Sequence, residues 1–226
     1  MSISSNVAPR TRKEIAARIA VDICEGWYVN LGIGMPTMVA NSIPDDCEVV
    51  LHSENGVLGM GAAQEPSGSQ PWLINAGKNY VTLRTGGAYV HHADSFAMIR
   101  GGHLDLCILG AFQVANNGDI ANWATSENDT APAVGGAMDL CVGAKNLWVA
   151  MNHLTKDGTP KIVESCTYPL TATSVVKRIY TDLAVISVGT DGLEVDELTS
   201  GLTFDELQNV TDAPLRMARP SAQSTE

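Results

Sequence analysis

Val49-Val50-Leu51-His52-Ser53-Glu54-Asn55-Gly56-Val57-Leu58-Gly59-Met60-Gly61 is the stretch whose reading governs the rest of the chain. The apolar run Val49-Val50-Leu51 predicts a short buried strand. Asn55-Gly56 supplies the turn chemistry, because both residue types tolerate positive φ. Glu54 is therefore expected just past a strand end, on a tight turn, with glycines following. In an open α/β sheet that position faces the ligand crevice. The same string alone also describes a solvated acid on a hairpin turn, so the surrounding chain must decide.

Upstream, Tyr28-Val29-Asn30-Leu31 reads as a strand leading into Gly32-Ile33-Gly34-Met35-Pro36. A strand, a glycine loop and a proline at a helix start form a βα unit whose exposed N–H groups suit an anion. It fails as a dinucleotide fingerprint, since the third glycine is missing and Pro36 intrudes. On pattern alone a tight structural turn is the better explanation. Before it, Thr11-x-x-Glu14 is a capping box, and Ile15, Ile19 and Ile23 recur at helical spacing. With Gly26 as a stop, they predict an amphipathic helix over 12–25.

Downstream, Gly59 to Pro71 reads as a loop, mobile or covered by a partner. Short strands are expected at 73–75 and 80–83, the second broken by Gly86-Gly87, then a helix over 95–100. His91-His92-Ala93-Asp94 does not make a zinc site: adjacent histidines diverge and no third ligand has a fitting spacing. Leu104 to Leu109 is nearly continuous apolar sequence, the mark of a strand buried on both faces of a parallel sheet. Asp105 interrupts it and needs a hydrogen-bond partner. Asn116-Asn117-Gly118-Asp119 predicts a hairpin turn, and 124–134 is polar and irregular. Gly135-Gly136 then presents backbone N–H groups at the positive end of a helix. Strands at 147–151 and 183–188 flank a predicted helix over 173–180. Thr203-x-x-Glu206 is a second capping box, starting a helix that stops before Pro214.

Alternating strands and helices predict an α/β fold: an open, mostly parallel sheet with helices on both faces, in a single domain. That domain is expected over 11–214, between a disordered segment 1–10 and a tail 215–226. A chain of 226 residues with 45% hydrophobic content can bury one sizeable core. A formal net charge of −11 argues against a nucleic-acid partner. The five cysteines have no CxxC spacing and read as small hydrophobes in a reducing compartment. Without a signal peptide or an 18-residue apolar run, a soluble cytoplasmic chain with no membrane partner is expected.

Five separated strings carry a resemblance: Gly32-Ile33-Gly34-Met35-Pro36, Ser53-Glu54-Asn55-Gly56, Ser95 to His103, Asp119 to Trp123, and Gly135-Gly136-Ala137-Met138-Asp139-Leu140. In this order they resemble the B (β) subunit of the family I 3-oxoacid CoA-transferases. His91 to Ser95, Val134-Gly135-Gly136 and Pro160-Lys161-Ile162-Val163 look closest to the members using 3-oxoadipate. Acetoacetate-using relatives tend to carry Phe-Asp-Ser at the paired histidines. Relatives also often have Met where this chain has Phe112.

The resemblance implies that Glu54 is the nucleophile and becomes covalently acylated as CoA moves from succinyl-CoA to a 3-oxo acid. Coenzyme A would enter as an acyl-CoA substrate, with no permanently bound cofactor and no metal. It implies an oxyanion donor at Gly135 or Gly136, with a glutamine from an A (α) subunit. Asn55, Gly32, Gly34 and Gln113 join the candidate oxyanion and substrate-binding residues. The expected assembly is an A2B2 heterotetramer. Three alternatives stay open: a B subunit of the acetoacetate or butyrate type, an acyl-CoA hydrolase ending on water, and a non-catalytic CoA-binding subunit. The intact Ser-Glu-Asn-Gly speaks against the last. A sugar-phosphate isomerase would want Lys or Arg at its glycine loop, and none lies between Tyr28 and Pro44.

Overall fold

The computed structural model describes residues 4, 6–44, 46–65, 70–126 and 134–218. Helix α1 (Arg12–Val21) starts at the capping box: the Glu14 N–H donates to the Thr11 hydroxyl, and the Thr11 N–H to the Glu14 carboxylate at 2.7 Å. It ends at Asp22, short of the predicted Gly26. The Asp22 carboxylate is engaged by Arg18, Arg178 and the Tyr180 hydroxyl. Gly26, at φ +80°, makes the turn into the first strand instead.

The chain continues through β1 (Tyr28–Leu31), a 3₁₀ helix (Met35–Asn41), β2 (Val50–Ser53), β3 (Val57–Ala63), β4 (Val81–Tyr89) and α2 (His92–Arg100). Next come β5 (Leu106–Leu109), β6 (Gln113–Ala115), β7 (Ile120–Ala121), α3 (Ala137–Gly143) and β8 (Asn146–Ala150). The last elements are β9 (Ile162–Val163), β10 (Val176–Tyr180), β11 (Ala184–Gly189), β12 (Gly192–Leu198), α4 (Phe204–Asn209) and β13 (Leu215–Met217). Ten strands form one sheet in the order β13-β12-β11-β10-β8-β5-β1-β2-β3-β4. Its centre, β10-β8-β5-β1-β2, is parallel, while β11 on one side and the β3-β4 hairpin on the other join antiparallel. A small sheet, β7-β6-β9, completes the strands.

The central strands are buried on both faces, and their side chains alternate between two cores. Leu106, Ile108, Trp148 and Ala150 pack with Ile15 and Ile19 of α1. Cys107, Leu109, Leu147 and Val149 pack with Ile99 of α2 and Leu140 of α3. That period of two is why β5 and β8 read as unbroken apolar runs, with helices covering both faces as expected. Each fully buried Leu or Ile stabilises by about 1.5–3 kcal/mol relative to its exposed state. Asp105 finds its partners in the Lys145 ammonium at 2.7 Å and the Tyr28 N–H at 2.9 Å.

The predicted helix 173–180 is strand β10 instead. Val176, Ile179 and Tyr180 are spaced as on a helix face, but the β-branched residues favour extended chain, and β8 offers a parallel neighbour. Gly86-Gly87 lies inside β4, where the register against β3 shifts, rather than breaking the strand. The predicted loop from Gly59 begins later, since β3 extends to Ala63; its residues 66–69 lie outside the described residues. Of the irregular stretch 124–134, residues 127–133 also lie outside them. At the N terminus, the N–H groups of Ala8 and Arg10 donate to Ser200 O and Asp182 O, so order begins before residue 11. Residues 1–3 and 5 of the predicted disordered segment are outside the described set. Likewise Leu215–Met217, predicted as tail, pairs with β12, and 219–226 are not described. No helix among the described residues is long and apolar enough to cross a membrane.

Candidate active site

Parallel strands deliver their carboxyl ends to one edge of the sheet. Here Leu31, Leu109 and Ala150 end β1, β5 and β8, and Glu54 follows β2. The loops after them, with residues 134–137 at the start of α3, enclose a cleft of about 510 Å³. Its place is the crevice that open α/β sheets use for ligands. Gly32 fits because a Cβ there would lie 2.9 Å from Ile108 O; Gly34 takes φ +91°. Both line the cleft.

Glu54 stands on the turn between β2 and β3, where Ser53 pairs with Val57. Gly56, at φ +106°, closes that turn, and a Cβ on it would lie 2.3 Å from Val90 O. The Asn55 amide donates to Ile74 O at 2.8 Å, and the Ala76 N–H donates to Ser53 Oγ at 3.0 Å. Asn55 therefore ties the turn to the 74–76 segment and, unlike Glu54, is not on the cleft wall.

Beneath the turn lies a buried polar network. Asn30 and His52 are register partners on β1 and β2, and Ser95 belongs to α2; all three are shut off from solvent. The Asn30 amide donates to His52 Nδ1 at 3.0 Å and to His52 O at 3.3 Å. Nδ1 is then the acceptor, so Nε2 carries the proton toward Ser95 Oγ at 2.8 Å. Ser95 in turn donates to Ser53 O at 3.4 Å. Burial pushes the His52 pKa down to about 4, which keeps the ring neutral. The network braces the end of β2, just before Glu54, from below. Local sequence holds one clue to it, a histidine and an asparagine inside strands that are otherwise apolar.

Glu54 itself is half-buried, and burial raises its pKa above the ordinary carboxylate value; His92 opposes that shift. A Cβ on Gly136 would sit 3.1 Å from Glu54 Oε2 and 2.9 Å from Phe96 Cζ, so glycine lets this backbone approach the carboxylate without either side chain giving way. Gly135 reaches the same wall of the cleft at φ +48°. Phe96 stacks on His92 with ring centroids 4.9 Å apart. His91 caps α2, its Nδ1 accepting from the Ala93 N–H at 3.1 Å. Gln113 does not line the cleft. It is buried, its Oε1 accepts from the Thr167 N–H at 2.8 Å, and its Nε2 donates to Thr167 Oγ1. Phe112 beside it does line the cleft, as do Arg12, Asn122, Asn152 and Lys161, which sequence reasoning did not single out as site residues.

A half-buried carboxylate of raised basicity, held rigid on a strand-end turn and faced by close backbone, marks an enzyme that works through a carboxylate. Sequence comparison agrees with that class. The family model described as coenzyme A transferase matches residues 12–209, and the chain belongs to that family. It is 58% identical over 205 residues to the B subunit of the 3-oxoadipate CoA-transferase of Pseudomonas putida, covering 91% of this chain and 96% of that one. It is 45% identical over 208 residues to the B subunit of the probable succinyl-CoA:3-ketoacid coenzyme A transferase of Bacillus subtilis, covering 92% and 96%. Among solved structures, an acyl-CoA transferase from Escherichia coli O157:H7 superposes with a TM-score of 0.70 at 19% identity, covering 96% of this chain and 43% of that one. That last likeness speaks for the fold alone.

Proposed function

We propose that this chain is the glutamate-bearing B subunit of a CoA-transferase that moves CoA from succinyl-CoA to 3-oxoadipate. The observation that carries it is Glu54: half-buried, raised in pKa, aimed into the cleft and backed by Gly136. The substrate assignment rests on the 58% identity to the B subunit of a 3-oxoadipate CoA-transferase.

Exchange of CoA between two carboxylates is nearly isoenergetic, so a protein carboxylate can hold the thioester midway. A Glu54 oxygen attacks the succinyl thioester carbonyl, and collapse expels CoA thiolate, leaving a mixed anhydride. The thiolate attacks the glutamyl carbonyl, breaks the anhydride and releases succinate, leaving a γ-glutamyl-CoA thioester. The carboxylate of 3-oxoadipate then attacks that thioester, and the same two steps run in reverse to yield 3-oxoadipyl-CoA and free Glu54. Every addition puts negative charge on a carbonyl oxygen, which needs preorganised donors. The Gly135 or Gly136 N–H serves that role, with a glutamine from the A subunit. The raised basicity of Glu54 helps the first step, because it makes the carboxylate a better nucleophile.

The site is shared with a second subunit. Ile33 and Phe112 on the cleft wall are 67% and 39% exposed, and Met138 on α3 is 55% exposed. Large apolar side chains around an open cleft fit burial by a partner, here an A subunit in an A2B2 assembly. Closing the cleft would also keep water from the anhydride and the thioester. Five free cysteines suit a reducing, cytoplasmic setting.

The test is to load the A–B complex with succinyl-CoA and treat it with borohydride, which reduces a thioester but not a free carboxylate. Inactivation with the label at Glu54, and succinate release before any acceptor is added, is the expected result. A label on another residue, or intersecting rather than parallel initial-rate lines, would overturn the assignment.

A further inference from the structure

Among the described residues, three charged side chains line the cleft: Glu54, Arg12 and Lys161. Glu54 has its role, and Arg12 is exposed in the first turn of α1. Lys161 has no assigned role, and its situation is unusual. It is half-buried, and its backbone is fixed on both sides: its N–H donates to His153 O at 3.1 Å, and its carbonyl accepts from the Val114 N–H at 2.9 Å. None of the ion pairs among the described residues includes it. Asp182 attracts it from a distance, but Asp182 Oδ1 accepts from the His153 N–H and forms no ion pair with the ammonium. Burial lowers the Lys161 pKa to about 8, which leaves the amine largely charged at neutral pH. A cation held partly out of water without a counter-charge in direct contact is destabilising, and an anion bound in the cleft would offset that.

Position says which anion. Glu54 follows β2, and Lys161 is bonded to His153, just past the end of β8. Strands β8, β5, β1 and β2 are successive neighbours in the sheet, and Glu54 and Lys161 both line the one cleft at its carboxyl edge. Three strand spacings put about 14 Å between the ends of β2 and β8. Both side chains line the one cleft, so an acyl group bound between them has one end toward each.

We propose that Lys161 is the specificity-determining anchor for the distal carboxylate of a dicarboxylic acyl group whose other carboxyl reacts at Glu54. This rests on the reading of Glu54 as nucleophile and extends it to substrate class. A succinyl group, or a longer six-carbon 3-oxo diacid, has a carboxylate at its far end to meet the ammonium. A monocarboxylic acyl group ends there in methyl or methylene and leaves the charge unmet. The preference for diacids follows from the charge on Lys161.

The experiment uses the complex with the A subunit and single-turnover formation of the Glu54 thioester from succinyl-CoA and, separately, butyryl-CoA. Wild type is measured first. If neither acyl-CoA labels Glu54, the nucleophile reading fails and the anchor falls with it. With Glu54 labelled, Lys161→Met is expected to lose about 10- to 100-fold in kcat/KM for succinyl-CoA, the scale for an unpaired site charge, and to keep or gain rate with butyryl-CoA. Lys161→Arg keeps the cation and should retain most of the diacid preference, which also carries the test if Lys161→Met assembles poorly. Equal losses with both acyl-CoAs, or no loss with either, would overturn the anchor while leaving Glu54 in place.

Discussion

Two imidazoles in this protein look alike by every local measure and do different work. His52 and His153 are 1% and 0% exposed, and burial pushes both to a pKa of about 4. Each ring bridges two polar partners: Asn30 and Ser95 for His52, Thr181 and Thr211 for His153. What separates them is where the bridges lead. His52 joins β1, β2 and α2 two residues before Glu54, so its ring sets the floor of the turn that carries Glu54. His153 joins the end of β8 to Thr181, beyond β10, and to Thr211, beyond α4, and its hydrogen bonds close the body of the domain. A strongly shifted buried histidine is thus a statement about satisfied packing. Its bearing on function comes only from what it holds in place.

The largest effect expected is at the residue the first histidine supports. Glu54→Gln should lower CoA transfer by about 10⁴-fold or more, as removal of a nucleophile does. Its stability should hold or rise. The folded pKa of Glu54 is raised, so the unfolded chain ionises more readily, and ionised Glu54 costs stability at neutral pH. Turnover in the reconstituted complex and a thermal melt check both halves; a melt that fell sharply would mean Glu54 is structural.

Next come the two histidines themselves. His52→Ala and His153→Ala should each destabilise by about 2–4 kcal/mol, combining a cavity with stranded polar partners. Turnover per folded molecule should drop about tenfold further for His52→Ala than for His153→Ala. Equal turnover in the two variants would erase the distinction. The same pair sets the acid limit of stability. Between pH 6.5 and about 4 the unfolded state protonates both rings and the folded state neither. The contribution of the two rings is therefore full above pH 6.5 and is lost as pH drops toward 4, at up to about 2.7 kcal/mol per pH unit for two groups. Urea unfolding across that range should show a slope roughly halved in either alanine variant. A slope that stayed at the wild-type value would mean the rings titrate in the folded protein.

Much of this was legible in local sequence. Both capping boxes, the apolar runs of β5 and β8, and Glu54 on its strand-end turn rest on contacts within a few residues. What failed rests on distance. Asn30 and His52 lie 22 positions apart and meet only because β1 and β2 pair in one register. Gln113 looked available for substrate until the 167–168 segment folded back onto both ends of its amide. The helical spacing of Val176, Ile179 and Tyr180 gave way to sheet pairing with β8, whose presence no local pattern reports. β12 was missed although Leu193 and Val195 alternate with acids, the pattern of a strand with one buried face.

The smallest effect expected is also the sharpest discriminator. Ser95→Ala removes the acceptor for His52 Nε2–H, 2.8 Å away, and Thr211→Val removes the hydroxyl 2.9 Å from His153 Nε2. Each strands one buried donor or acceptor, worth about 1–2 kcal/mol. The stability losses should be similar, because the buried rings lose similar partners. Turnover should not be. With Ser95 gone, the His52 ring is held on one side only, and the floor under Glu54 loosens, so kcat should fall a few-fold while KM holds. Thr211→Val loosens a ring that is absent from the cleft wall, and kcat should stay at the wild-type value. Folded fraction and kcat measured on the same samples separate the two roles. If Ser95→Ala left kcat untouched at the same stability loss, the polar network under the turn would be packing alone, and His52 would be a second His153.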